Sequence, residues 1–157
     1  MTGTANRAWV EKVLEQHRHL RSEVGELEDF LQAPRPAPDE VGSHSWAVAL
    51  SRRLLALHDE LFKHFRYEEQ AEGRQSLLEA HPEAAGKLEE ILGEHPRMLA
   101  DLRQLVSDVL AYSGGADPAD PNLRRRISQL LDRYHHHEGE ENQLFQRFEY
   151  RDVGGVD

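Results

Sequence analysis

"YHHHEGEENQLF" (Tyr134–Phe145) sets three histidines beside three glutamates in a chain without cysteine. Its meaning depends on its frame. Ile127, Leu130, Tyr134, His137, Glu141, Leu144 and Phe148 recur at intervals of three and four, so they share one face of a helix. That face is apolar except where His137 and Glu141 interrupt it. A one-residue shift of frame puts His136 and Glu140 there instead, and His135 reads as exposed. The triplet is internal, short and followed by patterned helix, which argues against a purification remnant.

The same spacing returns in three earlier segments. The first runs roughly from Asn6 to Leu31, with Val10, Val13, His17, Leu20, Val24, Leu27 and Leu31 on its stripe, and "APRPAPDEVG" (Ala33–Gly42) breaks it. The second, from about Ser43 to Ala71, carries Leu50, Leu54, Leu57, Leu61, His64 and Glu68; Gly73 ends or weakens it, although "RQSLLEA" stays compatible with helix. After "HPEAAG" the third, over 83–112, carries Leu88, Leu92, His95, Leu99, Leu102, Val106 and Val109. "SGGADPADP" (Ser113–Pro121) stops it, and Pro121 suits the first turn of a fourth helix over 121–150. Strand signals are nearly absent.

Four such helices joined by long loops predict one all-α domain over residues 1–157, an antiparallel up-down-up-down four-helix bundle. Pro96, inside the third segment, predicts a kink there.

Composition narrows the chemistry. The formal charge is −10, with 29 acids against 19 bases, which repels nucleic acid and anionic membrane surfaces, so neither is expected as a partner. Zero cysteines exclude disulfides, a thiolate nucleophile and sulfur-ligated metal. No run approaches the ~20 apolar residues that span a bilayer, and the N-terminus lacks the apolar centre of a secretory signal, which predicts a cytoplasmic protein. Neither G-x-S-x-G, a phosphate-binding glycine loop nor His-Glu-x-x-His occurs, and no stripe histidine belongs to a Glu-x-x-His motif.

Every stripe is interrupted by a histidine, and two of them also by a glutamate four residues later. Residues four apart lie on one helical face, so His64 with Glu68, and His137 with Glu141, can each aim two ligands at one interior point. His17 and His95 add one imidazole each. A carboxylate can bridge two cations whereas neutral imidazole is a terminal ligand, so this set suits a dinuclear centre, with iron ahead of manganese and zinc. An unpaired buried carboxylate costs several kcal/mol, comparable to a small domain's whole stability, and a cation offsets that cost.

His followed by an acid at the fourth position is weak alone, since ten histidines at this acid content should give roughly two such pairs by chance. The sequence has four, starting at His19, His64, His136 and His137. Their order carries more information than their number. "LEQHRHLRSEV" (Leu14–Val24) echoes "LGEHPRMLADL" (Leu92–Leu102), and "HFRYEEQ" (His64–Gln70) echoes "HEGEENQ" (His137–Gln143), so the chain is a two-fold repeat of helix pairs.

On "EQH", "HFRYEE", "GEHPRML" and "HEGEENQLF", nearly the whole chain outside the termini and long loops resembles the hemerythrin-like, HHE cation-binding domains. The resemblance implies an antiparallel four-helix bundle around a non-haem di-iron centre, with His17, His64, Glu68, His95, His137 and Glu141 as ligands. The oxygen-carrying hemerythrins instead place two histidines four apart in the third helix and a His-x-x-x-x-Asp pair in the fourth. Here the residues four before and after His95 are Ile91 and Leu99, which cannot bind metal. The six-ligand pattern is more similar to hemerythrin-like proteins associated with iron sensing, nitric oxide or peroxide responses and repair of iron centres. It implies a di-iron protein that binds or reacts with O2, NO or peroxide, and leaves an oxidase- or peroxidase-type activity open. Iron sensing, storage or delivery without turnover is the alternative, and a metal-free interaction module the blandest reading.

The remaining histidines, His19, His44, His58 and His81, read as surface, caps or packing. Tyr67 and Tyr134 read as core packing ahead of any shuttling role, and Trp9 and Trp46 as anchors near helix starts.

Overall fold

The computed structural model describes residues 2–33, 41–112 and 121–154. Its regular elements are all helical: α1 (Thr2–Gln32), α2 (Val41–Glu68), α3 (Ala71–Ala80), a 3-10 turn at Pro82–Ala84, α4 (Ala85–Gly93), α5 (His95–Tyr112) and α6 (Pro121–Gly154). Most of the two proline- and glycine-rich breaks, at residues 34–40 and 113–120, lies outside the described residues. None of the described helices is long and apolar enough to cross a membrane.

α1 packs on α2, α2 on α5, α5 on α6, and α6 back on α1, which closes a helical bundle. Along α1 and α2, Gln16 meets His64, His19 meets Glu60 and Glu26 meets Arg53, so these two run in opposite directions. α6 opposes α1 through His17 with Asn142, Arg21 with Glu138 and Glu28 with His135, and opposes α5 through Asp101 with Arg133 and Asp108 with Arg126.

The stripes of the first, second and fourth segments are buried along their whole length. The third differs. Its buried face is Leu88, Ile91, His95, Met98, Leu102, Leu105 and Val109, while Leu92, Leu99 and Val106 are half-buried flanks. A stripe of three-and-four spacing fits two adjacent frames when apolar residues occupy both, and packing against α2 and α6 selects one.

Pro96 does more than kink this segment: it sits in the first turn of α5, behind a full break at Glu94. The Glu94 amide donates to the Ile91 carbonyl at 3.2 Å, and its own carbonyl accepts from Met98 at 3.1 Å. Proline has no amide to offer the preceding turn but is at ease in a helix's first turn, so the chain restarts there.

The second helix, expected to run to about Ala71 and to end or weaken at Gly73, stops at Glu68, and the helix-compatible residues beyond it form a separate α3 against α1. Leu77 explains it, being fully buried beside Trp9, Leu88 and Phe148. Gly73 belongs to the same contact, because a Cβ there would overlap the Trp9 indole.

Two apolar clusters result. One runs from Leu20 and Leu61 through Met98 to Tyr134; the other gathers Val13, Leu77, Ile91 and Leu144. On each stripe the polar residues fall at the boundary: His17 between Val13 and Leu20, His95 between Ile91 and Met98, and His137 and Glu141 between Tyr134 and Leu144. Among the described residues, the buried histidines and glutamates of these stripes thus form a polar layer between two apolar clusters.

Candidate metal centre

Six side chains make up that layer, His17, His64, Glu68, His95, His137 and Glu141, and none is more than 3% exposed. α1 contributes one, α2 two, α5 one and α6 two. The i, i+4 spacing stacks His64 over Glu68 and His137 over Glu141, in direct contact within each pair.

Their donor atoms form two overlapping groups, His17–His64–Glu68–Glu141 and Glu68–His95–His137–Glu141, each with all its atoms within 4.8 Å of one another. Glu68 and Glu141 belong to both. Glu68 reaches His95 Nε2 with Oε2 at 3.0 Å and faces His17 with Oε1 at 3.7 Å. Glu141 reaches His17 Nε2 with Oε2 at 2.7 Å and faces His95 with Oε1 at 3.9 Å.

All four imidazoles turn Nε2 inward, and each outer Nδ1–H donates to an oxygen from a neighbouring helix or turn. His64 donates to Gln16 at 2.7 Å, His17 to Asn142 at 3.0 Å, His95 to Glu69 at 3.0 Å and His137 to Glu94 at 2.9 Å. A bond at Nδ1 fixes the tautomer in which Nε2 carries a free lone pair, as metal-binding imidazoles require.

Burial alone would lower the His17 pKa, but the carboxylates of Glu141 and Glu68 outweigh it and raise the group to about 10. His95 follows the same balance, burial against Glu141 and Glu68, and also reaches about 10. Burial likewise opposes and Glu141 favours the charged form of His137, which is raised. Burial pushes Glu68 up, and the His64 charge together with contacts from His17, His64 and His95 takes it well below the usual carboxylate range. Glu141 is lowered too, since contacts from His137, His17 and His95 exceed the effects of burial and of Glu68 repulsion. Without a cation, imidazolium protons hold the two carboxylates in the core.

That arrangement leaves the inner atoms poorly bonded. Nε2 of His17, His95 and His137, and both oxygens of Glu68 and Glu141, have no aligned hydrogen-bond partner among the described residues. Close approach without hydrogen-bond alignment, by nitrogen and oxygen donors converging on two points, fits divalent cations in place of the protons.

Phe65 covers one side of the layer, stacked on His95 with ring centroids 3.8 Å apart and edge-on to His137 at 5.5 Å. Beside His64 a cavity of about 380 Å³ is lined by Lys12, Glu15, Gln16, His19, Lys63 and His64, among others. His136 is 73% exposed and pairs with Glu140 at 3.4 Å on the surface, so His137 and Glu141 are the members of their runs that enter the layer. His135 is half exposed beside Glu28, and His81 is buried against Phe148, apart from the layer. Tyr134 is buried one turn before Glu138, and burial raises its phenol pKa.

Sequence reasoning did not single out Gln16, Glu69, Glu94 and Asn142, nor Glu138, which is 5% exposed and paired with Arg21. The internal repeat held the signal for the first four. Gln16 and Glu94 directly precede His17 and His95, and Glu69 and Asn142 directly follow Glu68 and Glu141.

Compared with known families, the chain matches the model described as Hemerythrin HHE cation binding domain over residues 9–119. The match takes in His17, His64, Glu68 and His95 and stops before His137 and Glu141, which join the layer through the fold. No curated protein and no solved structure matches the chain.

Proposed function

The chain belongs to the hemerythrin HHE cation-binding family, and on that premise we propose that it holds two iron ions at which a small oxidant, O2, NO or peroxide, binds or reacts. One observation carries this reading: Glu68 and Glu141 are common to both donor groups, while each group has two histidines of its own. Two cations would each take one imidazole pair and draw on both carboxylates, since the donor atoms gather into two groups and not around one point. The donor set favours iron, with manganese and zinc behind it. Bound iron would supply electrons and an open position for the oxidant.

The protein's own part is preorganisation. Gln16, Glu69, Glu94 and Asn142 hold the imidazoles with Nε2 inward, so little rearrangement precedes binding. Phe65 and the apolar clusters on either side keep bulk water from the inner atoms. His17 and His64 would hold one cation and His95 and His137 the other, with Glu68 and Glu141 common to both, and an exogenous ligand would find room beside them.

Iron sensing, storage or delivery is the second reading, favoured by the unbonded inner oxygens of Glu68 and Glu141. A cation that satisfies them adds its binding free energy to folding, so occupancy tightens the bundle.

Elemental analysis of anaerobically purified, untagged protein beside its His64→Ala variant tests the site. About two irons per chain are expected, with one or both lost in the variant, followed by spectral change of the unaltered protein on exposure to O2, NO or peroxide. Iron without any such change favours sensing or storage. No stoichiometric metal after ferrous reconstitution overturns both readings.

A further inference from the structure

The internal repeat makes the two halves of the polar layer equivalent in outline, but their outer partners differ in charge. His17 and His64, the pair belonging to one donor group, donate to the neutral amides of Asn142 and Gln16. His95 and His137, the pair belonging to the other, donate to the carboxylates of Glu69 and Glu94. At the repeat-related positions, Gln16 stands where the second half has Glu94, and Asn142 where the first half has Glu69. The swap is crossed so that both carboxylates serve one donor group and both amides the other.

A carboxylate accepting the Nδ1–H bond polarises the imidazole, strengthens its Nε2 as a donor and adds negative charge facing the cation. An amide fixes the ring equally well without adding charge. The setting acts in the same sense. Phe65 lies flat against His95, a low-dielectric wall that strengthens electrostatic attraction, whereas His64 and Gln16 line the 380 Å³ cavity.

Resting on the two-cation reading, we infer that the two positions are unequal: His95 and His137 form a tight, retained position, and His17 and His64 form a weaker, exchangeable one. The outer residues Glu69, Glu94, Gln16 and Asn142 set the difference as positioning residues that touch no cation themselves. A protein of this design keeps one cation while the other comes and goes with supply, so its second occupancy reports the free cation concentration.

The test is a cobalt(II) titration of the metal-free full chain by calorimetry and visible absorption, compared across variants. Repulsion between two cations separates the binding steps even at equal sites, so the decisive observation is which step each substitution moves. The double variant Glu69→Gln/Glu94→Gln is expected to weaken the first step by about 10- to 100-fold and leave the second within about threefold. The reverse exchange, Gln16→Glu/Asn142→Asp, is expected to tighten the second step by a similar factor. His64→Ala should remove the second step and His137→Ala the first. Glu69 and Glu94 are 45% and 35% exposed, so their amides should leave the metal-free fold intact, and the gain of affinity decides the matter if they do not. Equal movement of both steps, or movement of neither, overturns the inference while two bound cations keep the two-cation reading. Fewer than two cobalt ions per chain in the unaltered protein overturns both.

Discussion

Glu68 and Glu141 divide the same imidazoles between them: Glu68 meets His95 at 3.0 Å and His17 at 3.7 Å, whereas Glu141 meets His17 at 2.7 Å and His95 at 3.9 Å. With the contacts inside each helix pair, each carboxylate thus touches one histidine of either half, Glu68 meeting His64 and His95 and Glu141 meeting His137 and His17. Two negative charges this deep stay ionised only while cations, either imidazolium or metal, surround them.

Replacing both by glutamine should remove the dependence of stability on metal. Iron at a hundred times its dissociation constant stabilises a folded site by about 2.7 kcal/mol, or roughly 5–10 °C for a domain of this size. Thermal melts of the metal-free chain with and without ferrous iron should show such a rise, and Glu68→Gln/Glu141→Gln should abolish it. An unchanged rise in the double variant would place the cations elsewhere.

The metal-free protein should lose stability on the alkaline side. His17 and His95 are raised from 6.5 to about 10, so the stability they contribute is fully present below pH 6.5 and is lost as pH climbs through about 10. Glu68 and Glu141 are lowered from 4.5, so theirs is present above that value and lost in acid. Urea unfolding from pH 4 to 10.5, with chelator present, should peak between these limits. Metal uptake should show the converse, becoming tighter as pH rises and releasing protons that calorimetry in buffers of different ionisation enthalpy can count.

His136 and His137 should separate cleanly despite their adjacency. Because His136 is 73% exposed and paired on the surface, His136→Ala should leave metal content and melting temperature unchanged. His137→Ala should cut metal content by about half or more, measured by elemental analysis.

Gly73→Ala should destabilise the chain by about 1–3 kcal/mol, since the added carbon overlaps the Trp9 indole and neither helix can withdraw freely. Urea midpoints would report the loss. Metal stoichiometry should survive, as the contact belongs to the apolar end beyond the polar layer.

Breaking the Arg21–Glu138 pair should depend on which partner is removed. Glu138 is 5% exposed, so Arg21→Met strands a carboxylate and should cost about 1–3 kcal/mol. Adding Glu138→Gln should recover most of that, and a double-mutant cycle in urea would show the coupling. Additive losses would mean that the pair contributes nothing.

Much of this molecule was determined by sequence alone, because helix formation and stripe burial are local consequences of spacing. A side chain repeating at three and four residues shares a face, and an apolar face must be covered, so every polar residue on a stripe was committed to the interior. His17, His64, Glu68, His95, His137 and Glu141 were legible on that ground, as was the helical class. Packing decided what periodicity leaves open. Two frames were available around His95, and contact with α2 and α6 chose the one through Ile91, Met98 and Leu105. α3 exists because Leu77 and Trp9 needed each other's surface, a partnership between distant segments. The outer partners are the clearest case. A residue next to one of these six is turned about 100° around its helix, off the stripe and toward the neighbouring element, so Gln16, Glu69, Glu94 and Asn142 look like ordinary surface polarity until the helices meet. Which histidine each one serves, and so which half of the layer carries the extra charge, was settled only by tertiary structure.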